Sequence, residues 1–258
     1  MPANKLNITA IPAFSDNYIW LLTAGGKACA VVDPGDEDPV LEILEKQGLD
    51  LRYILLTHHH PDHAGGVPEL LEKYAAVVFG PADNRIPFVH HICRDGERIQ
   101  LAELDAEFKV LEVPAHTRSH IAYYGEKVLF SGDTLFSVGC GRFFEGTAAD
   151  MQVSLDKLAA LPDDTQNYCA HEYTKSNCAF ALQVEPDNAA LQSRAREVDN
   201  LRATGTITLP TSLENEKACN PFLRTRENSV VNAARKLDPE ATPGISTMAV
   251  IRAWKDRF

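Results

Sequence analysis

Short apolar runs rich in β-branched residues, set apart by turn residues, fill the first two-thirds of the chain. LNITAIP (6–12), NYIWLL (17–22), ACAVVD (28–33), LRYILLT (51–57), AVVFG (76–80), EFKVLEV (107–113) and KVLF (127–130) each have the length and composition of a strand. Gly25-Gly26, between two of these runs, predicts a hairpin turn. Helical patterns lie between the strands. Asp38-Pro39 supplies a start and Gly48 a stop for one helix. Val67, Leu70, Leu71 and Tyr74 recur at i, i+3, i+4 and i+7 and predict a second. Beyond about residue 173 the strand pattern fades. Over 187–203, Leu191, Ala195, Val198 and Leu201 form one helical stripe, and Gly205 stops it. Residues 229–237 and 244–256 also read as helices. The pattern predicts an α/β domain over 1–172 followed by a smaller helical domain over 173–258.

Charge divides at the same place. The chain of 258 residues has 25 Lys and Arg against 36 Asp and Glu, a formal charge of −11. Residues 1–172 hold 13 basic and 26 acidic side chains, or −13; residues 173–258 hold 12 and 10, or +2. The acidic balance argues against a nucleic-acid partner. No apolar run reaches the ~20 residues of a membrane helix, so no membrane partner is expected. MPANKLNITA lacks the basic-then-apolar pattern of an export signal. Six cysteines, at 29, 93, 140, 169, 178 and 219, include no C-x-x-C pair and read as reduced, mostly buried thiols. A cytoplasmic protein acting as a monomer is expected.

The sharpest signal is Thr57-His58-His59-His60-Pro61-Asp62-His63, which gathers four of the nine histidines. It follows the buried-strand run LRYILL and precedes Gly65-Gly66 and a helix. On an extended strand end, residues i and i+2 point the same way. His58 and His60 can therefore share a metal while His59 points elsewhere. Pro61 forces a turn, after which Asp62 and His63 re-enter from a helix start. Neutral imidazole binds zinc without burying charge.

The H-x-H-x-D-H spacing resembles the metallo-β-lactamase superfamily, over residues 1–172. The resemblance implies an αββα sandwich. It also implies His116 as a further ligand beside His58 and His60, His171 beside Asp62 and His63, and Asp133 bridging two ions. His59, His90, His91 and His120 match no ligand role and read as surface or supporting groups. Pro114-Ala115-His116-Thr117-Arg118-Ser119-His120 departs from the superfamily's P-G-H-T-x-G-H at Ala115 and Ser119, and Ala170 stands where relatives often have glycine. Alanine can substitute wherever φ is negative.

Three further segments narrow the resemblance. GCGRFFEG (139–146), HEYT (171–174) and NPFLRTRE (220–227), with the helical appendage, are similar to the glyoxalase II (hydroxyacylglutathione hydrolase) family over nearly the whole chain. That resemblance implies hydrolysis of S-D-lactoylglutathione to glutathione and D-lactate, the second step of methylglyoxal detoxification, with two divalent ions: zinc, or else iron or manganese. Asp62 and Asp133 would serve catalysis as well as ligation. Two ions sharing one water lower its pKa from about 15.7 toward 7, and the hydroxide attacks the thioester carbonyl. Glutathione is net anionic. Arg142, Arg224 and Arg226 can offer it guanidinium forks and Tyr173 a hydroxyl. Phe144 stands where some relatives have tyrosine, and Asn228 lies near where a lysine can close the glutathione site. Two other readings compete: a glutathione-persulfide sulfur dioxygenase with a single iron on the same scaffold, and a non-catalytic zinc-binding docking module.

Overall fold

A computed structural model describes residues 6–258. The first half of the stretch read for an export signal, residues 1–5, lies outside the described residues. The chain divides into two compact units. One takes the described residues up to Glu112 together with Ser119–Gly132; the other takes Val113–Arg118 and Asp133–Phe258.

The first unit carries, in chain order, β1 (Asn7–Ala13), β2 (Asn17–Thr23), β3 (Ala28–Val32), α1 (Asp38–Gln47), β4 (Asp50–Leu55), α2 (Pro61–Ala64), α3 (Val67–Lys73), β5 (Val77–Gly80), β6 (His91–Ile92), β7 (Arg98–Leu101), β8 (Ala106–Glu112), β9 (Ile121–Gly125) and β10 (Val128–Gly132). One sheet runs β1-β2-β3-β4-β5-β6. Its first three strands are antiparallel, and β3 to β6 are parallel. Parallel neighbours need a crossover. Helix α1 supplies it between β3 and β4, and α2 with α3 between β4 and β5. Val40 and Leu44 of α1 and Val67 and Leu70 of α3 pack with Val31, Ile54, Leu56 and Val78. This covering explains why the second half of β4 is buried without alternation. A second set of strands pairs antiparallel in the order β10-β9-β8-β7. Gly48 ends α1 at φ 63°, its N–H returning to Glu45 and Leu44 carbonyls.

The second unit carries β11 (Leu135–Phe136), β12 (Gly139–Cys140), α4 (Ala148–Ala159), β13 (Gln166–Cys169), α5 (Thr174–Val184), α6 (Ala189–Ala203), β14 (Thr211–Ser212), α7 (Leu213–Cys219), α8 (Asn228–Arg235) and α9 (Ile245–Lys255). The β11–β12 and β13–β14 pairs are antiparallel. Helices α6, α8 and α9 lie where the periodicity puts them. Helices α4, α5 and α7 were not read from it. Thr147 and Asp150 form a capping box at the start of α4, and Ser212 caps α7 by accepting from Asn215 N.

Segment 133–140 is bonded to residues far downstream: Asn167 Nδ2 donates to Leu135 O (2.9 Å), Asn177 Nδ2 to Ser137 O (2.9 Å) and Asn220 Nδ2 to Phe136 O (3.2 Å). Buried carbonyls need donors, and here later side chains supply them. All six cysteines are free and buried. Among the described residues no helix is long and apolar enough to cross a membrane.

Candidate metal centre

In the first unit the ligand-bearing loop leaves the carboxyl end of a parallel strand, where open α/β sheets bind their ligands. Val32 of β3 is in register with Leu55 of β4, so the residues after each strand emerge side by side. Asp33 exploits this. Its N–H donates to Leu55 O (3.0 Å), its Oδ1 accepts from Thr57 N (2.8 Å), and its Oδ2 accepts from Thr57 Oγ1 (2.7 Å). The single Thr57 hydroxyl proton is thereby used. Thr57 Oγ1 must accept from His58 Nδ1, 3.0 Å away, which leaves the lone pair of His58 on Nε2. Asp33 Oδ2 also accepts from His63 Nδ1 (3.0 Å), fixing the same tautomer there.

The ligand-side atoms then face one another. His58 Nε2 lies 3.0 Å from His60 Nδ1, and His63 Nε2 lies 3.4 Å from Asp62 Oδ2. His59 turns away, its Nδ1 3.4 Å from Asp83 Oδ2, as i, i+2 alternation requires. Asp62 and His63 occupy α2, whose first residue is Pro61. Asn17 Nδ2 donates to Asp62 O (3.2 Å) and Asp62 Oδ2 (3.1 Å). Gly35 permits this approach, because a Cβ there would stand 2.0 Å from Asp62 O. His120 is fully buried rather than on the surface, and its ring stacks on His58 at 4.7 Å and 19°. His90 accepts from Val78 N, and His91 is an exposed partner of Glu97.

In the second unit Asp133 stands between two imidazoles. Its Oδ2 is 3.3 Å from His116 Nε2 and its Oδ1 is 3.3 Å from His171 Nε2. The carboxylate thus turns each oxygen to a different histidine. His116 Nδ1 donates to Arg142 O (3.0 Å), so its lone pair also sits on Nε2. Gly141 allows the turn, since a Cβ would lie 2.0 Å from Asp133 O. Ala115, Ser119 and Ala170 are not among the residues with positive φ, so the replaced glycines strain nothing.

The substrate-side residues divide. The exposed Arg142 side chain reaches toward Asp256 (3.5 Å). Tyr173 stacks on His171 at 4.7 Å and 3°. Asn228 opens α8 and is exposed. Phe144 is 62% exposed, with its ring 5.2 Å from that of His116. Arg224 and Arg226 have their forks engaged from within the chain. Arg224 is bidentate on the buried Glu185 (2.8 and 3.1 Å), and Arg226 is bidentate on Asp156 (2.8 and 2.6 Å). Glu185 and Asp156 lie too far from these arginines in sequence for the pairings to be read from it.

Two cations were missed. Arg252 donates to Cys140 O (2.9 Å) and to Asp256 Oδ1 (3.0 Å). Lys255 lies over the Phe180 ring at 5.0 Å. Burial, and then repulsion by Arg252, push the Lys255 ammonium down to about 8, with Arg142 adding to the repulsion. The available signal was a basic i, i+3 pair on α9, within the net-positive residues 173–258.

The metallo-beta-lactamase superfamily model matches residues 14–171, and the model described as hydroxyacylglutathione hydrolase C-terminus matches 172–258. A protein of Aliivibrio salmonicida named hydroxyacylglutathione hydrolase is 53% identical over 255 residues, covering 98% of this chain and 100% of its own. The chain belongs to the hydroxyacylglutathione hydrolase family. Among solved structures, ETHE1 from Myxococcus xanthus aligns at TM-score 0.66 and 22% identity, over 97% of this chain and 98% of that one. TTHA1623 in a di-iron-bound form aligns at TM-score 0.53 and 28% identity, over 64% of this chain and 91% of that one. The family's metallo-β-lactamase fold thus extends over the chain with a helical carboxyl-terminal region. The imidazole and carboxylate donors of both units suit divalent ions.

Proposed function

We propose that this member of the family hydrolyses S-D-lactoylglutathione to glutathione and D-lactate on two divalent ions, with zinc as the resident metal. In this reading His58, His60 and His116 hold one ion, Asp62, His63 and His171 the other, and Asp133 both. One observation carries it. His58, His63 and His116 each have the outer ring nitrogen engaged, by Thr57, Asp33 and the Arg142 carbonyl, so each presents a preset lone pair. The relatives that carry the hydrolase name over their full length support the substrate class. Iron and manganese suit the same donors, and the di-iron form of TTHA1623 supports iron as the alternative.

When bound, such ions supply a lowered water pKa and polarisation of a carbonyl oxygen. The chain's own groups prepare for this. Asp33 keeps protons on the outer nitrogens of His63 and, through Thr57, of His58. Asn17 fixes the Asp62 carboxylate that orients the nucleophile. The leaving thiolate has a pKa near about 8.5 and departs without a strong general acid, which suits a thioester better than an amide.

Glutathione is anionic, and the Arg142, Arg252 and Lys255 cluster offers it positive charge. The low Lys255 value comes first from burial and then from the neighbouring Arg252 and Arg142 cations, which Asp256 only partly offsets. Residues 173–258 therefore serve as the substrate-binding domain, aided by Arg142, Tyr173 and Asn228. Arg224 and Arg226 leave this role because internal carboxylates occupy them. A single-iron dioxygenase would give Asp62, His63 and His171 no task, although Asp33 orients His63 as carefully as Thr57 orients His58. Six free buried cysteines support a cytoplasmic enzyme, which we take to act as a monomer. The test is metal content together with thioester hydrolysis in wild type, H58A and D133A. Two equivalents of zinc and loss of activity on chelation are expected; undiminished hydrolysis by metal-free protein rejects the reading.

A further inference from the structure

One buried acid has no part in that reading. Glu216 on α7 is fully buried, yet its carboxylate accepts four hydrogen bonds. Oε2 takes Val138 N (2.7 Å) and Asn220 Nδ2 (2.9 Å); Oε1 takes Thr211 Oγ1 (3.0 Å) and Ser137 Oγ (3.1 Å). Arg194 reaches the same Ser137 hydroxyl at 3.3 Å. Asn220 lies one turn further on the same face, and its Nδ2 is shared with Phe136 O (3.2 Å) and Gly139 O (3.0 Å).

These contacts belong to a larger arrangement. The carbonyls of Leu135, Phe136, Ser137, Gly139 and Cys140 accept from Asn167, Asn220, Asn177, Asn220 and Arg252. With β11 and β12 only two residues each, the main chain cannot hold this segment by itself. At its centre the buried Val138 sits at φ 57°. A β-branched side chain there is a steric outlier that persists only where its surroundings enforce it. The shortest bond of the network, Glu216 Oε2 to Val138 N, is the enforcing contact.

Both ends of the segment meet the ligand residues. Asp133 precedes β11 by two positions, and Arg142, whose carbonyl orients His116, follows β12 by two. Gly141 N donates to Thr134 O (3.2 Å) and closes the loop. We infer that Glu216 is a positioning residue for the metal centre: by clamping Val138 it sets the Leu135–Cys140 segment, and with it Asp133 and the carbonyl behind His116. This rests on the reading of Asp133 and His116 as ligands. It gives α7 a bracing task distinct from substrate capture.

Glu216→Gln tests it. The amide puts a donor where the carboxylate received only donors. Zinc affinity is measured on folded protein by competition with a chromogenic chelator, beside kcat and KM for S-D-lactoylglutathione and a melting curve. Zinc affinity should fall about tenfold or more, the effect typical of losing an outer support of a metal ligand, with kcat falling and KM nearly unchanged. Glycine tolerates positive φ, so E216Q/V138G should recover much of the lost affinity. Should E216Q fail to fold, N220A removes the neighbouring donors and should act in the same direction. Wild-type zinc affinity in folded E216Q or N220A overturns the inference, as does a loss in E216Q that V138G deepens. A folded wild type that binds no zinc overturns the functional reading instead.

Discussion

Asp33 and His63, thirty residues apart in the chain, are joined by a 3.0 Å hydrogen bond from Nδ1 to Oδ2 that decides which nitrogen of His63 keeps its lone pair. The same oxygen anchors Thr57 and through it His58. One buried carboxylate therefore fixes two imidazoles. Asp33→Asn keeps the size and tolerates the φ of 53°, but it loses the charge and one acceptor. Zinc affinity in a chelator competition should fall about ten- to a hundredfold. An unchanged affinity would mean that these histidines are oriented by something else.

Under the proposed function, Lys255 makes substrate capture sensitive to pH. Its ammonium is pushed down to about 8, so protonation is lost as pH rises through that value. KM for the anionic thioester should rise above pH 8, and Lys255→Arg should flatten the profile because guanidinium stays charged. Stability moves oppositely. Between about 8 and the unfolded value near 10.4 the unfolded chain binds the extra proton, so this group's contribution to stability increases with pH. A KM profile identical in wild type and K255R would remove Lys255 from the binding site.

Arg224, expected from the motif to meet the substrate, is paired within the chain instead. Its fork is closed on Glu185, a buried carboxylate that also accepts from Ser229 Oγ. Arg224→Ala should cost about 3 kcal/mol in a denaturant titration, because a buried charge loses its partner. KM should stay at the wild-type value. A KM effect without loss of stability would restore Arg224 to substrate binding.

Phe144 is exposed beside the ring of His116, and no hydroxyl is present there to meet a substrate amide. Phe144→Tyr should lower KM for the glutathione thioester by about fivefold, the worth of one hydrogen bond of about 1 kcal/mol. No change in steady-state KM would show that the substrate does not pass this ring.

Much of this protein is legible along the chain. Strands β1 to β5, β8 and β10 and helices α1, α3, α6, α8 and α9 follow from hydrophobic period and punctuation, because local burial repeats with local geometry. The pairing of His58 with His60, and the turning away of His59, follow from alternation alone. The very short elements β6, β11, β12 and β14 carry no period to read. Helices α4, α5 and α7 are fixed by caps and long-range packing rather than by a clean stripe.

The seven candidate ligands were visible as residue types after strands, helped by the resemblance. What surrounds them was not. That Asp33 stands behind His63, that Arg142 contributes a carbonyl, and that Arg224 is spent on Glu185 depend on partners 26 to 39 residues away. Sequence determined the chemistry on offer, since donor type is a property of each residue. Only tertiary structure decided which lone pairs, carbonyls and charges were left for function, because hydrogen bonds and ion pairs are allotted by distance in space.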